Sequence, residues 1–352
     1  MKRSTILLIS AFLLSLGLHF PAVLRSQPQL ANPYETDNLL NDIAFRNATE
    51  GYAVVQPEPL LLKTTDAGVT WNSIPLPIDP HTFNNIYTAV RTIGERGLIV
   101  GNAEGNILVA SDLNSEWSDR SPDEGLPIRE IEVIDENGWA VISDSSIFWT
   151  RDGGLTYRQF KPGNNLAFLS LDITNPSVIH AAQTVYQVWR TTDGGEHWDA
   201  MSSPGFGFGQ IYDVDFPSPD TGFVASWYPW TLFTTFDGGK TWHNNISGAE
   251  YPTSLAVLQG GMGIYTTLDY LRITHDGGVT WTDSLGISPL VIEGNPDGPF
   301  GWSKYKVVAA TDDVFFLLLS QSDFYKSVLA RIDVTSGVIE SVVLLPGRLD
   351  LR

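Results

Sequence analysis

The chain has 352 residues, of which 43% are hydrophobic and 11% aromatic, with 32 Gly and 21 Pro; this excludes a low-complexity chain and suits many short strands joined by tight turns. A formal net charge of -19 repels phosphate backbones and anionic lipid heads, so nucleic acid is not an expected partner. No cysteine is present, which removes disulfides, thiolate metal sites and cysteine nucleophiles.

Lys2 and Arg3 precede a run from Ile6 to Leu18 that is apolar apart from Ser10, Ser15 and Gly17. Charge, length and order are those of a signal peptide over residues 1–26, cleaved near Ser26-Gln27. The run is short for a spanning helix. The expectation is an exported chain, periplasmic or extracellular, that touches a membrane only through an uncleaved N-terminus or a membrane-protein partner. Residues 27–38 form a linker or a closing strand, 39–346 the folded body and 347–352 a tail.

From residue 65 a short phrase recurs: Thr65-Asp66-Ala67-Gly68-Val69-Thr70-Trp71, Arg151-Asp152-Gly153-Gly154-Leu155-Thr156-Tyr157, Thr192-Asp193-Gly194-Gly195-Glu196-His197-Trp198, Phe236-Asp237-Gly238-Gly239-Lys240-Thr241-Trp242 and His275-Asp276-Gly277-Gly278-Val279-Thr280-Trp281. A degenerate copy around Asp112 keeps the acid and Trp117 but neither glycine. The steps between the acids are 46, 40, 41, 44 and 39 residues, the size of one four-stranded propeller blade.

Each copy follows two strand-like segments in near-constant register. Gly51, Gly97, Gly222 and Gly261 lie 15 residues before their Asp and Gly138 lies 14 before, and each is expected to open a second strand. Alternation in Asp213-Val214-Asp215-Phe216 and Arg129-Glu130-Ile131-Glu132 is that of a strand with one buried face. Beyond the last copy, Lys306 to Ala310, Val314 to Leu319, Val328 to Asp333 and Val338 to Leu345 make a further blade, with Asp333 standing where the phrase would be. The expected fold is all-β, a single seven-bladed propeller of four-stranded antiparallel blades, with six or eight blades as the alternative counts.

These phrases resemble the Asp-box, or BNR, repeat of sialidases, some endoglucanases, sortilin-type receptors and photosystem II assembly and stability factors, over about residues 39 to 300. The resemblance implies that the box turns between the third and fourth strands of each blade. Its acid, at Asp66, Asp112, Asp152, Asp193, Asp237 and Asp276, is expected to accept backbone N–H groups of its own turn while glycine supplies a positive φ. The following aromatic enters the fourth strand and packs between blades. The boxes are therefore read as structural, with no cofactor and no metal ligand among them.

Catalysis finds little support in the residues. The sialidase Arg-Ile-Pro element does not occur and the arginines are scattered. No Gly-x-Ser-x-Gly elbow is present, and the histidines lack ligand spacing. Two carboxylates at glycosidase separation arise easily among 40 acidic residues, so a glycosidase or sialidase-like enzyme stays as the alternative. Phrases such as Ile43-Ala44-Phe45 to Gly51-Tyr52-Ala53-Val54 and boxes ending Thr-Trp give an overall resemblance to the photosystem II assembly and stability factors. That implies a monomeric, non-catalytic scaffold binding a protein partner, although the lipoprotein cysteine and basic patch of such proteins have no counterpart here. Two aromatic loops, one carrying Phe206 and Phe208 and the other Trp227, Tyr228 and Trp230, are the candidate contact surface, expected on the face opposite the boxes.

Overall fold

The computed structural model describes residues 29–30, 39–78, 85–184, 187–201, 210–226, 230–244, 251–268, 270–282, 285–286, 304–321, 326–336 and 338–345. Seven sheets follow one another along the chain, and in each the four blade strands pair in chain order. The fold is a seven-bladed propeller of four-stranded antiparallel blades. The first blade comprises Leu39–Phe45, Gly51–Gln56, Leu60–Thr64 and Asn72–Pro75. Its successors have inner strands Tyr87–Ile93, Ile128–Val133, Phe168–Asn175, Ile211–Asp215, Ser254–Val257 and Lys304–Ala309.

Each blade hides both faces of its second strand: Trp139–Ser143 and Gly222–Ser226 are buried throughout. Seven hydrophobic clusters fill the seven junctions, each drawing on two adjacent blades. The box aromatics sit in them as expected; Trp71, 3% exposed, lies between the seventh and first blades, and Trp281 between the fifth and sixth.

Ring closure is made by packing and side-chain hydrogen bonds between the first and last blades. Phe45 stacks on Phe316 with ring centroids 3.6 Å apart. Ser327 Oγ accepts the Leu40 N–H at 3.2 Å and Ser320 Oγ donates to the Leu40 carbonyl at 3.1 Å. Gln29–Leu30 adds a short parallel strand outside the seventh blade, opposite Val343 and Leu344.

The glycine register has a steric origin. A Cβ on Gly51 would lie 2.5 Å from the Phe45 ring, and one on Gly222 2.0 Å from the Phe216 ring, so glycine makes room for the last aromatic of the inner strand. Two boundaries are corrected: the second strand of the third blade opens at Trp139, not Gly138, whose N–H is held in the turn by Asp135 Oδ1 at 2.7 Å, and that of the sixth blade opens at Gly263, not Gly261. Gly261 stays in the turn with φ 89° and offers its carbonyl to Gly277 N–H at 2.9 Å.

That last bond defines a face. The residue after the box acid donates to the turn between first and second strands: Ala67 to Thr49, Gly153 to Asn137, Gly194 to Ser177 and Gly238 to Asp220. Val334, after Asp333, donates to Asp313 at 3.0 Å in the same way. Inner turns and boxes therefore share one rim. On the opposite rim the turns between second and third strands meet the inter-blade loops, as in Ala103 N–H to Ile86 and Phe168 N–H to Asp144.

Candidate functional site

Two places combine position with chemistry, the box turns and the central channel. In the fourth-blade box, Asp193 Oδ1 accepts the His197 N–H at 3.0 Å and Oδ2 meets His197 Nδ1 at 2.7 Å. Elsewhere a threonine takes the histidine's part, as where Asp237 binds Thr241 through N–H at 2.9 Å and Oγ1 at 2.6 Å. The hydrogen bonds from Thr156 and Thr241 hold Asp152 and Asp237 down to about 2. His197 and its N–H hold Asp193 lower still, and Asp193 in turn raises the His197 ring. In Asp66 and Asp276 burial raises the carboxyl, and the bonds from Thr70 and Thr280 outweigh it.

The sequence pattern also contains a residue that the reading above missed. Two positions before the acid stands a buried threonine, Thr64, Thr150, Thr191, Thr235 or Thr274. Its Oγ1 accepts the N–H of the second box glycine at 2.8–2.9 Å and donates to the acid at 2.7–2.9 Å. The degenerate copy has Ala110 there, and Asp112 makes only an Asx-type turn to the Asn114 N–H at 2.7 Å. All six acids thus sit in turns, each at its own blade.

The channel, about 460 Å³, is lined by the inner strands. Their buried alternate residues face the junctions; the others put Arg91, Glu130, Glu132, Asp172, Tyr212, Asp213, Asp215 and Lys306 around one lumen. An inner strand has one edge without a strand partner, and side chains of the preceding blade supply acceptors for it. Asp42 Oδ2 takes the Val90 N–H at 3.0 Å, Glu130 Oε2 that of Leu171 at 2.8 Å, Asp213 Oδ2 that of Leu255 at 2.9 Å and Asp215 Oδ2 that of Val257 at 2.5 Å. Ser170 and Ser254 hydroxyls do the same for Val214 and Val307 at 3.2 and 3.1 Å. A hoop of short polar side chains links blade to blade.

Electrostatically the channel is crowded with acids. Arg91 reaches Asp42 at 2.8 Å and Glu132 at 2.6 Å, and Lys306 reaches Asp42 at 2.5 Å. Burial tends to discharge Arg91, and Glu132, Asp42 and Glu130 more than reverse it, so it stays cationic. Burial pushes Glu130 up to about 8 against the pull of Lys306 and Arg91, with Glu132 adding to the rise. Burial also pushes Asp215 to about 8 despite the Val257 N–H, with Asp213 and Glu132 contributing. Asp172 is raised well above the carboxylate range by burial and by Asp215.

The channel gathers arginine, a tyrosine and two glutamates as an enzyme would, together with Asp172, Asp213 and Asp215. Arg91, however, is held by carboxylates, and Arg129 pairs with Asp144 at 2.9 Å. Arg46 and Arg190 are bound to backbone carbonyls on the box rim at 2.7–3.0 Å. No arginine cluster that could grip a substrate carboxylate is assembled among the described residues. Nor are three His, Asp or Glu side chains there placed to ligate one metal ion.

Of the predicted aromatic patch, Phe206, Phe208, Trp227 and Tyr228 lie outside the described residues. Trp230 is half-buried at the turn between the second and third strands of the fifth blade, with φ 59° and its ring 5.5 Å from that of Tyr251. Tyr251 belongs to the inter-blade loop leading into the sixth blade, so this contact lies on the rim opposite the boxes.

Residues 25–134 match the family model described as photosynthesis system II assembly factor YCF48. The fold is similar to that of a solved YCF48 bound to D1 peptide, at 19% identity and TM-score 0.65 over 91% of this chain and 99% of that one. It is similar to YCF48 from Cyanidioschyzon merolae at 17% identity and TM-score 0.62, over 82% and 95%. The WD40 propeller domain of Doa1 aligns at 10% identity and TM-score 0.60, over 86% and 95%. No functionally curated protein matches the sequence. The chain is a BNR-type propeller like the photosystem II assembly factor.

Proposed function

We propose that this protein is an exported, non-catalytic propeller scaffold that binds a polypeptide partner, as the YCF48 propeller in the D1 peptide complex does. The observation that carries this reading is the use to which the channel chemistry is put. Asp42, Glu130, Asp213 and Asp215 each accept a backbone N–H of the next blade, and Arg91 is tied into the same hoop. Groups engaged in holding blades together are poorly free to move protons or attack a substrate. The family match over residues 25–134 points the partner towards photosystem II subunits.

Export rests on the charged and apolar N-terminal run, and the contact surface on the aromatic loops of the rim opposite the boxes. A rigid, amphipathic patch with Trp230 against Tyr251 offers large area at low entropy cost. Titration of the mature chain with an overlapping set of D1-derived peptides tests the reading. Saturable binding of one segment, weakened by Trp227→Ala and Trp230→Ala while the fold melts normally, is expected. Absence of binding across the whole set would overturn the photosystem assignment.

A further inference from the structure

On the box rim, the junctions that follow the third and fourth blades are bridged by donors from a shared register. Three residues before its box acid the third blade carries Trp149, whose Nε1 donates to the Gly194 carbonyl of the fourth blade at 3.0 Å. One residue before the acid, Arg151 donates to the Pro176 carbonyl. At the next junction Arg190, again three before the acid, donates to both Gly238 and Pro219 carbonyls at 2.8 and 3.0 Å. Pro176 and Pro219 hold the same place: each precedes the residue that accepts the box N–H, Ser177 and Asp220.

The second blade, like the first, fifth and sixth, carries neither arginine nor tryptophan at these two positions. Its residues at the two donor positions are Val109 and Ser111, neither long enough to cross. In the third blade the equivalent acceptor is the Glu136 carbonyl, since Asn137 takes the Gly153 N–H at 3.0 Å. A cleft of about 520 Å³ opens there, with Val109, Ser111, Glu136 and Asn137 in its wall. Ile93 contributes apolar surface, and Glu95, Glu116 and Glu136 set three carboxylates against Arg96 and Arg120. Arg120 turns back to its own neighbour, donating to the Asp119 carbonyl at 3.2 Å.

We propose that this cleft is an arginine slot, which receives the guanidinium of an arginine side chain from a partner polypeptide. The fold itself shows the required chemistry one and two junctions away, where a planar fork bonds turn carbonyls with its stem along the blade. The three carboxylates of the wall, set against two arginines, complement the incoming cation. The slot lies on the box rim, so it stands apart from the aromatic surface of the opposite rim.

The test uses the mature chain with ¹³C-labelled Ile and Val methyls, titrated with Nα-acetyl-arginine amide and with the uncharged isostere Nα-acetyl-citrulline amide. Saturable shifts of the Ile93 and Val109 methyls with the arginine compound alone are expected. Ser111→Arg, which supplies the missing residue at the Arg151 register, should abolish them while the remaining spectrum stays folded; Val109→Arg, read through Ile93, is the independent second variant. No saturable shift, equal response to citrulline, or an unchanged response in both folded variants would overturn the proposal.

Discussion

The buried box threonine gives the sharpest test of how the repeat holds the ring together. In Thr191→Val the shape is kept while the hydroxyl is lost, with its acceptance of the Gly195 N–H at 2.8 Å and its donation to Asp193 at 2.8 Å. Thr191 is 1% exposed and Gly195 is buried. The surroundings are close-packed, since a Cβ on Gly195 would already lie 2.0 Å from the Trp149 ring. A buried N–H left without an acceptor costs about 1–3 kcal/mol, which corresponds to a few degrees in melting temperature for a chain of this size. Asp193 is exposed, so water replaces its carboxylate more readily, and Asp193→Ala should lower the midpoint less than Thr191→Val. Thermal melts followed by circular dichroism, with Thr235→Val and Asp237→Ala as the matched pair, decide the matter. A threonine variant that melts like the parent, or an aspartate variant that melts lower than its threonine partner, would refute the reasoning.

Other expected outcomes are as follows. Asp193→Ala and Asp237→Ala retain partner binding, checked by titration of the same peptide set; loss of binding at an unchanged midpoint would make the boxes functional. Stability falls between pH 6.5 and 8.5. Glu130 and Asp215 stand at about 8 in the folded chain against ordinary values of 4.5 and 3.8, so the folded state holds more protons in that window and its advantage is lost as pH rises through about 8. Melting midpoints at the two pH values measure this, and Glu130→Gln should flatten the slope. His180 acts with the opposite sign: burial holds its ring well below 6.5, so its contribution is lost as pH falls below 6.5, outside the chosen window. Aryl sialosides and β-glucans are not turned over by the mature chain; turnover that disappears in Glu130→Gln or Asp215→Asn would establish the enzyme reading.

The blade count and rim assignment were legible because boxes and the glycines before them each repeat in a near-constant register, with an aromatic ring standing behind Gly51 and Gly222. The seventh blade was readable too, since four apolar strands remain after the last box even though Asp333 replaces the phrase. The threonine two before the acid was visible as a repeated Thr-x-Asp but carries no signal of burial on its own. The channel hoop was hidden for a topological reason. Alternation in Asp213-Val214-Asp215 marks one apolar face, yet only ring closure sends the polar face inward to meet Arg91 and Lys306. Nor does local sequence announce the cleft beside Val109, whose wall is assembled from the second and third blades.

The central claim, a scaffold whose channel groups serve the fold, is tested most directly by measuring peptide affinity and glycoside turnover side by side in Glu130→Gln, Asp215→Asn and the parent chain. The account predicts peptide affinity equal in all three at pH 7 and no turnover in any of them. Turnover in the parent that is lost in either variant, with no peptide bound, would contradict it.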